Sequence, residues 1–206
     1  MFETVKAKAK EFFWHSDSCH GWDHVIRVHK LCRMIWANEG ADLEILDYAA
    51  VLHDIARWEE SKLKWKICHA EKWAERAKEI LIEYNIPEHK IDAIIHCIST
   101  HRWRNGNAPE SLEAKILFDA DKIDSLWAIG IWRCFLFAWG QWAKLHDPNV
   151  NIEHTKEYSS EDTAYREFLV KLKHIPDRLF MESSKNIAKE RLDFMYHFFD
   201  TLNDEW

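Results

Sequence analysis

The chain has 206 residues, of which 47% are hydrophobic and 31% are charged, and these proportions are typical of a globular protein. Its net charge of −7, with histidines counted as neutral, argues against a general nucleic-acid binder, because such a protein needs a basic surface. The five cysteines form no Cys-x-x-Cys pair, and their odd number without a signal peptide predicts reduced thiols and a cytoplasmic location. The longest apolar run, at 126–138, is too short to span a membrane and contains Arg133.

Long helices are expected, because only five glycines and four prolines interrupt the chain. Gly40 is expected to end the second helix, and Asp42 to cap the third. We find no internal repeat and no β-rich run, so the prediction is an all-α, single-domain multi-helix bundle. The predicted helices cover residues 2–14, 22–38, 43–56, 67–84, 87–101, 112–145, 163–174 and 178–202, with a polar loop at 147–162.

A histidine and an aspartate stand side by side at the predicted end of the apolar third helix, as His53 and Asp54. Ionisable neighbours are costly to bury there unless hydrogen bonds or a metal ion compensate them. On the second helix, His24 shares the inward-facing stripe of Val28 and Ile35. The sequence therefore offers two histidines that can meet in a core.

Further candidates follow along the chain. At 100° per residue, Asp121 and Asp124 share a stripe while Asp119 falls outside it, so Asp121 or Asp124 is expected to face inward. On the fifth helix, His101 shares the stripe of three isoleucines, whereas His96 points away from it.

Each of these groups also has an ordinary structural explanation. An inward-facing histidine such as His24 is more often a hydrogen-bonded core residue than a ligand. His53 could interact with a helix dipole beside a solvated Asp54. Asp121 could form a surface ion pair with a neighbouring cation.

The order of the motifs is more informative than any one of them. The chain carries DHVIRV at 23–28, AVLHDIAR at 50–57, HA at 69–70, histidines at 96 and 101, and EAKILFDADKID at 113–124 followed by AIGI at 128–131. In order and spacing these segments resemble the signatures of the HD-domain superfamily of metal-dependent phosphohydrolases. Ala56 stands where glycine is common in that family.

The resemblance implies a role for each matching residue. His24, His53, Asp54 and Asp121 are implied as metal ligands, with Asp54 also orienting or deprotonating the attacking water. Asp124 is expected to accept a hydrogen bond from a ligand histidine. Asp54, Arg57, His69 and His101 form the implied catalytic group, and His96, Lys122, Asp124, Arg102 and Arg104 are lower-ranked substrate or supporting residues.

The implied reaction is hydrolysis of a phosphate ester or anhydride of a small molecule, with a nucleotide as the favoured substrate. A divalent ion (Mn, Co, Ni, Fe, Mg or Zn) would activate the water. Two alternatives stay open. One is a non-catalytic HD-like module that binds metal and nucleotide as a sensor or scaffold, and the other is a bundle whose histidines only pack.

We expect one domain over residues 1–206, with a ligand-bearing core at about 20–133 and a C-terminal helical extension at about 134–206. The expected partner is a small phosphorylated substrate, and neither nucleic acid nor a membrane is expected to bind. The loop at 147–162 and the tryptophan-rich helices offer a surface for a homodimer.

Overall fold

The computed structural model describes residues 1–14, 20–55, 70–102 and 107–206. This part of the chain contains α-helices, short 3-10 turns and no β-strand, which confirms the all-α prediction. The helices are α1 (Phe2–Glu11), α2 (Trp22–Glu39), α3 (Leu43–Leu52), α4 (Ala70–Glu83), α5 (Glu88–Thr100), α6 (Leu112–Ile123), α7 (Trp127–Gly140), α8 (Ala164–Val170) and α9 (Glu182–Glu205).

Two compact units make up the chain, Met1–Asp121 and Lys122–Trp206, and the boundary falls inside α6. The expectation of one domain over the whole chain stays a prediction. None of the described helices is both long and apolar enough to cross a membrane.

Helix α3 is at the centre of the first unit. It packs against α1, α2 and α5, and α5 packs in turn against α4. Every residue of α3 from Tyr48 to Leu52 is buried, as expected for an apolar helix that is covered on several sides. Because the last turn of α3 is buried, the side chain of the next residue, His53, also lies in the interior.

Both ends of the α2–α3 connection follow the sequence prediction. Gly40 adopts a left-handed conformation with φ 74°, which glycine reaches without the steric penalty of a Cβ atom. The Asp42 carboxylate accepts hydrogen bonds from the backbone N–H groups of Glu44 and Ile45 at 2.9 and 3.2 Å. These two caps set the residues at which α2 ends and α3 begins.

In the second unit, α7 packs against α8 and α9. The prediction of a continuous helix over residues 112–145 is wrong, because α6 ends at Ile123 and α7 covers only Trp127–Gly140. The Ser125 hydroxyl donates to the Lys122 carbonyl at 2.6 Å, and the backbone at Gly130 passes close to Ser125. A Cβ atom at position 130 would lie 2.2 Å from the Ser125 carbonyl oxygen, so the break requires glycine there.

Cys32, Cys97 and Cys134 are buried, and each packs as a small apolar residue. The expectation of reduced thiols stays a prediction.

Candidate metal centre

Two helices bring a pair of buried histidines together in the first unit. His24 lies in the first turn of α2, on the same buried face as Val28 and Ile35, and His53 is the residue that follows α3. Their exposed fractions are 1% and 0%. The inward orientation predicted for His24 is confirmed.

The rings of His53 and His101 are oriented by the same kind of hydrogen bond. Each is the residue immediately after the last residue of a helix, α3 or α5, and each has Nδ1 close to the carbonyl oxygen three residues earlier. His53 donates to Ala50 at 2.8 Å, and His101 donates to Ile98 at 2.6 Å. Because Nδ1 carries the proton in this arrangement, the neutral ring presents a lone pair at Nε2.

The Nε2 atoms and a carboxylate oxygen converge. His24 Nε2 lies 3.3 Å from His53 Nε2 and 3.4 Å from Asp121 Oδ1. One potential ligand atom from each of these three residues lies within 4.8 Å of the other two. The contributions come from α2, from the end of α3 and from α6, so the cluster exists only in the folded first unit.

Asp54 connects this cluster to His101. Its Oδ2 lies 3.7 Å from His24 Nε2 and 3.9 Å from His53 Nε2, and its Oδ1 lies 3.6 Å from His101 Nε2. The residue is 2% exposed. One buried carboxylate thus contacts three imidazole rings.

Burial keeps the His53 ring uncharged. Desolvation is the largest cause that lowers the pKa of His53, to about 4, and the nearby rings of His101 and His24 lower it further, while Asp54 and Asp121 raise it. At neutral pH His53 therefore offers an unprotonated nitrogen, which is the form that binds a metal ion.

The donor set fits a divalent cation. Imidazole nitrogens and carboxylate oxygens together suit the divalent first-row metals and zinc. Ligand atoms about 2.0–2.2 Å from one ion lie roughly 3–3.5 Å apart when they are neighbours around it. The separations of 3.3 and 3.4 Å around His24 Nε2 fall in this range. The lone pair at His53 Nε2 and the carboxylates near it are all electron-rich. Burying them together costs free energy unless a positive charge compensates them.

A row of aromatic rings extends from the cluster in both directions. Its neighbouring centroids lie 5.2–5.6 Å apart, in the order His20, His24, His53, His101 and Trp73. The Trp73 indole is fully buried, and its Nε1 has no hydrogen-bond acceptor among the described residues.

The Arg102 guanidinium lies 5.3 Å from the centre of the same indole. This is a cation–π distance. Arg102, predicted as a lower-ranked substrate residue, therefore contacts the ring whose centroid lies 5.6 Å from that of His101.

The other predicted residues are placed as follows. The Nε2 atom of His96 accepts a hydrogen bond from the backbone N–H of Glu110 at 3.2 Å. Lys122 and Asp124 belong to the second unit, where an Asp124 oxygen accepts from Arg133 at 2.9 Å. Arg57, His69 and Arg104 lie outside the described residues. The catalytic and ligand roles of all these residues stay predictions.

Periodicity was wrong about one aspartate. Asp124 is buried as predicted, at 2% exposure, and Asp121 keeps 18% of its side chain exposed, but Asp119, which falls outside the predicted inward stripe, is also fully buried. All five residues from Ile116 to Ala120 are buried, so this helix has no single inward face from which a stripe could be recognised.

Sequence reasoning also missed His20, Trp73 and the two carbonyl acceptors. The position of His53 and His101 at predicted helix ends was the available signal for the carbonyl bonds, since the last carbonyls of a helix lack intrahelical donors. Trp73 lies in α4, where no motif marks it.

The family model for the HD domain matches residues 21–126, which is just over half of the chain. The chain belongs to this family. The matched segment contains every residue of the His24, His53, Asp54 and Asp121 constellation.

Relatives of this HD-domain protein match over nearly the whole chain. The uncharacterized protein YpgQ of Bacillus subtilis (strain 168) is 29% identical over 207 residues, covering 98% of this chain and 92% of YpgQ. A crystal structure of B. subtilis YpgQ in complex with ADP superposes with a TM-score of 0.75 at 25% identity, covering 100% of this chain and 97% of the other. An HD-superfamily hydrolase from Bacillus thuringiensis has a TM-score of 0.78 at 25% identity, with coverage of 100% and 96%.

Proposed function

We propose that this protein is a metal-dependent phosphohydrolase that cleaves a phosphate ester or anhydride of a small molecule, with nucleotides as the favoured substrate class. The convergence of His24, His53 and Asp121, with potential ligand atoms all within 4.8 Å of one another, carries the proposal. Membership of the HD domain family supports the hydrolase class. The ADP complex of YpgQ supports the choice of a nucleotide.

His24, His53, Asp54 and Asp121 would hold the ion. When bound, a divalent cation neutralises charge on phosphoryl oxygens and lowers the pKa of water. His53 contributes a nitrogen that needs no deprotonation near neutral pH, because burial has already lowered its pKa to about 4. Its Nδ1 hydrogen bond to Ala50 fixes the ring before any ligand arrives.

Asp54 is the residue we assign as proton acceptor for the attacking water. Its two oxygens have different surroundings, since Oδ2 faces His24 and His53 while Oδ1 lies 3.6 Å from His101 Nε2. A proton taken up at Asp54 is thus within reach of His101, which can hold it or pass it to the leaving oxygen.

Arg102 is the described cation that we assign to the substrate phosphates. Phosphoryl transfer depends mainly on positioning and charge neutralisation, so one oriented guanidinium close to the site contributes directly. The Trp73 face under Arg102 restricts the orientation of the guanidinium. By sequence, Arg57, His69 and Arg104 are proposed to complete this part of the site.

A substrate screen tests the proposal. Purified protein would be incubated with Mn, Co, Mg or Ni and with nucleoside mono-, di- and triphosphates, and phosphate or pyrophosphate release would be measured. We expect turnover that depends on the metal and is lost in Asp54→Asn. The control is His29→Gln, because His29 is a buried histidine that instead contacts Asp47 at 2.7 Å. Metal and ADP binding without turnover of any substrate would contradict the enzyme and support a sensor.

A further inference from the structure

Helix α7 is apolar on nearly all sides. Its sequence, WAIGIWRCFLFAWG, contains a single charged residue, Arg133, which is paired with Asp124 at 2.9 Å. The inner face packs against α8 and α9 through Gly130, Ile131, Cys134 and Ala138. A surface helix normally carries polar residues opposite its buried face, so the apolar outer face needs an explanation.

Five apolar residues form what we call the outer strip: Ile129, Trp132, Leu136, Trp139 and Trp142. The spacings of 3, 4 and 3 residues from Ile129 to Trp139 keep these four residues on one side of the helix, with the pattern of a helix–helix seam. The Trp139 and Trp142 rings lie 6.4 Å apart, so Trp142 continues the strip past the helix end.

The strip is exposed to an unusual extent. Trp132, Trp139 and Trp142 are 74%, 75% and 85% exposed, and Ile129 and Leu136 are each 42% exposed. An aromatic side chain of this class buries about 150–250 Å², so the three indoles alone offer roughly 400–500 Å² of surface. With the two aliphatic residues, the strip approaches the ~800 Å² that each partner contributes to a standard interface. Apolar patches of this size mark interaction sites.

The chemistry of the strip favours a protein partner over a lipid surface. None of its members is charged, and the chain has a net charge of −7, whereas attachment to anionic lipid depends on clustered lysine and arginine. Exposed tryptophans are the residue type most enriched among the energetic centres of protein interfaces.

The order of residues along the strip points to the partner. When two copies of a helix cross antiparallel about a two-fold axis, residues whose numbers have a constant sum face each other. A sum of 271 places Trp132 opposite Trp139 of the second copy, and it places Ile129 beyond the C-terminal end of the second copy's helix, where Trp142 lies. Leu136 then lies next to the axis. The strip is self-complementary in the sense that a two-fold interface requires.

We propose that the outer strip of α7 is the contact surface between two copies of this chain. The proposal does not depend on the enzymatic function, because it uses no residue of the metal centre. It makes Leu136 the position where the two copies come closest.

Solution mass of the full-length protein tests this interface. Multi-angle light scattering and sedimentation at about 1–100 µM should give a dimer for the wild type. Leu136→Glu places two carboxylates near the axis, and we expect at least about a hundredfold increase in the dimer dissociation constant. The matched control is Ile82→Glu, because Ile82 is a more exposed helical residue, at 57%, in the first unit and should leave the dimer intact.

A charge exchange makes the test specific to the two-fold geometry. Leu136→Lys alone should also be monomeric, and an equimolar mixture with Leu136→Glu should recover the dimer mass. Thermal melting of each variant verifies folding, and Trp139→Gln replaces any variant that fails to fold, because Trp139 is 75% exposed.

Three results would overturn the proposal. They are a wild type that is monomeric over the whole concentration range, a dimer that persists in folded Leu136→Glu or Trp139→Gln, and a mixture that stays monomeric. A monomeric wild type that binds phosphatidylcholine vesicles would assign the strip to lipid instead.

Discussion

The Nε2 atoms of His24 and His53 face each other at 3.3 Å in the interior of the first unit. His53 uses its Nδ1 proton for the Ala50 carbonyl, so its neutral ring has only an electron pair to direct at His24. Asp121 Oδ1 adds a third electron-rich atom at 3.4 Å from His24. A shared cation is the simplest physical reason for assembling such atoms in a dry environment.

Metal binding should depend on these residues individually. Replacing His24 or His53 with Ala removes one ligand atom, and the affinity for Mn or Co should fall by more than the roughly ten- to hundredfold loss that follows removal of an outer hydrogen-bond partner. Equilibrium dialysis with metal analysis measures this. His29→Gln should retain wild-type affinity, since His29 interacts with Asp47 instead. If His24→Ala, His53→Ala and His29→Gln all bind the metal ion with equal affinity, the proposed centre is excluded.

Asp124 has two competing explanations, which one pair of variants separates. If Asp124 supports a ligand histidine, Asp124→Asn should weaken metal affinity roughly ten- to hundredfold. If its role is the ion pair with Arg133, at 2.9 Å, then Arg133→Gln should destabilise the protein as much as Asp124→Asn does, and neither should change metal affinity. Titration calorimetry and urea unfolding on both variants distinguish these outcomes.

Two glycines of α7 should respond oppositely to alanine. Gly130→Ala introduces a Cβ atom 2.2 Å from the Ser125 carbonyl oxygen, and the forced backbone shift should lower the free energy of unfolding by about 1–3 kcal/mol. An added Cβ at Gly140 meets no atom within 4 Å, so Gly140→Ala should be neutral or stabilising by up to ~1 kcal/mol. Chemical unfolding of the two variants provides the comparison, and equal stability would contradict the tight turn.

Trp73→Phe should cost little in the ligand-free protein. The substitution removes a buried N–H that has no acceptor among the described residues, which stabilises the protein, and it replaces the indole with a smaller ring, which loses packing. Because the two effects oppose each other, the free energy of unfolding should change by no more than about 1 kcal/mol. Trp73→Ala should cost about 3–5 kcal/mol.

Trp36 provides the control for the Trp73 substitution. Its indole Nε1 donates to the Ala41 carbonyl at 2.7 Å. Trp36→Phe should therefore lose a hydrogen bond worth about 0.5–1.5 kcal/mol in addition to its packing. A greater loss for Trp73→Phe than for Trp36→Phe, measured by urea unfolding, would show that the Trp73 N–H already has an acceptor.

Local patterns predicted the parts of the fold that local physics controls. The Asp42 cap, the Gly40 helix end and the inward face of His24 each depend on a few neighbouring residues, and all three are confirmed. The preference for His101 over His96 on the buried face also agrees with the structure, since His101 is 1% exposed.

Features that depend on distant contacts were not predictable from periodicity. Asp119 is buried because α6 is covered on several sides, and a stripe analysis assumes one covered side. The break at Ser125 depends on close backbone approach to Gly130, which leaves no apolar pattern in the sequence. The approach of Trp73 to His101 joins two helices, and no local signal records it.

The backbone carbonyl groups that accept hydrogen bonds from His53 and His101 orient both rings without the help of any neighbouring side chain. A carboxylate in that position could be lost by a single codon change, whereas the main-chain oxygens of Ala50 and Ile98 persist whatever side chain those positions carry. Evolution can therefore repack the surroundings of both rings, provided that the final helical turn before each histidine remains wound.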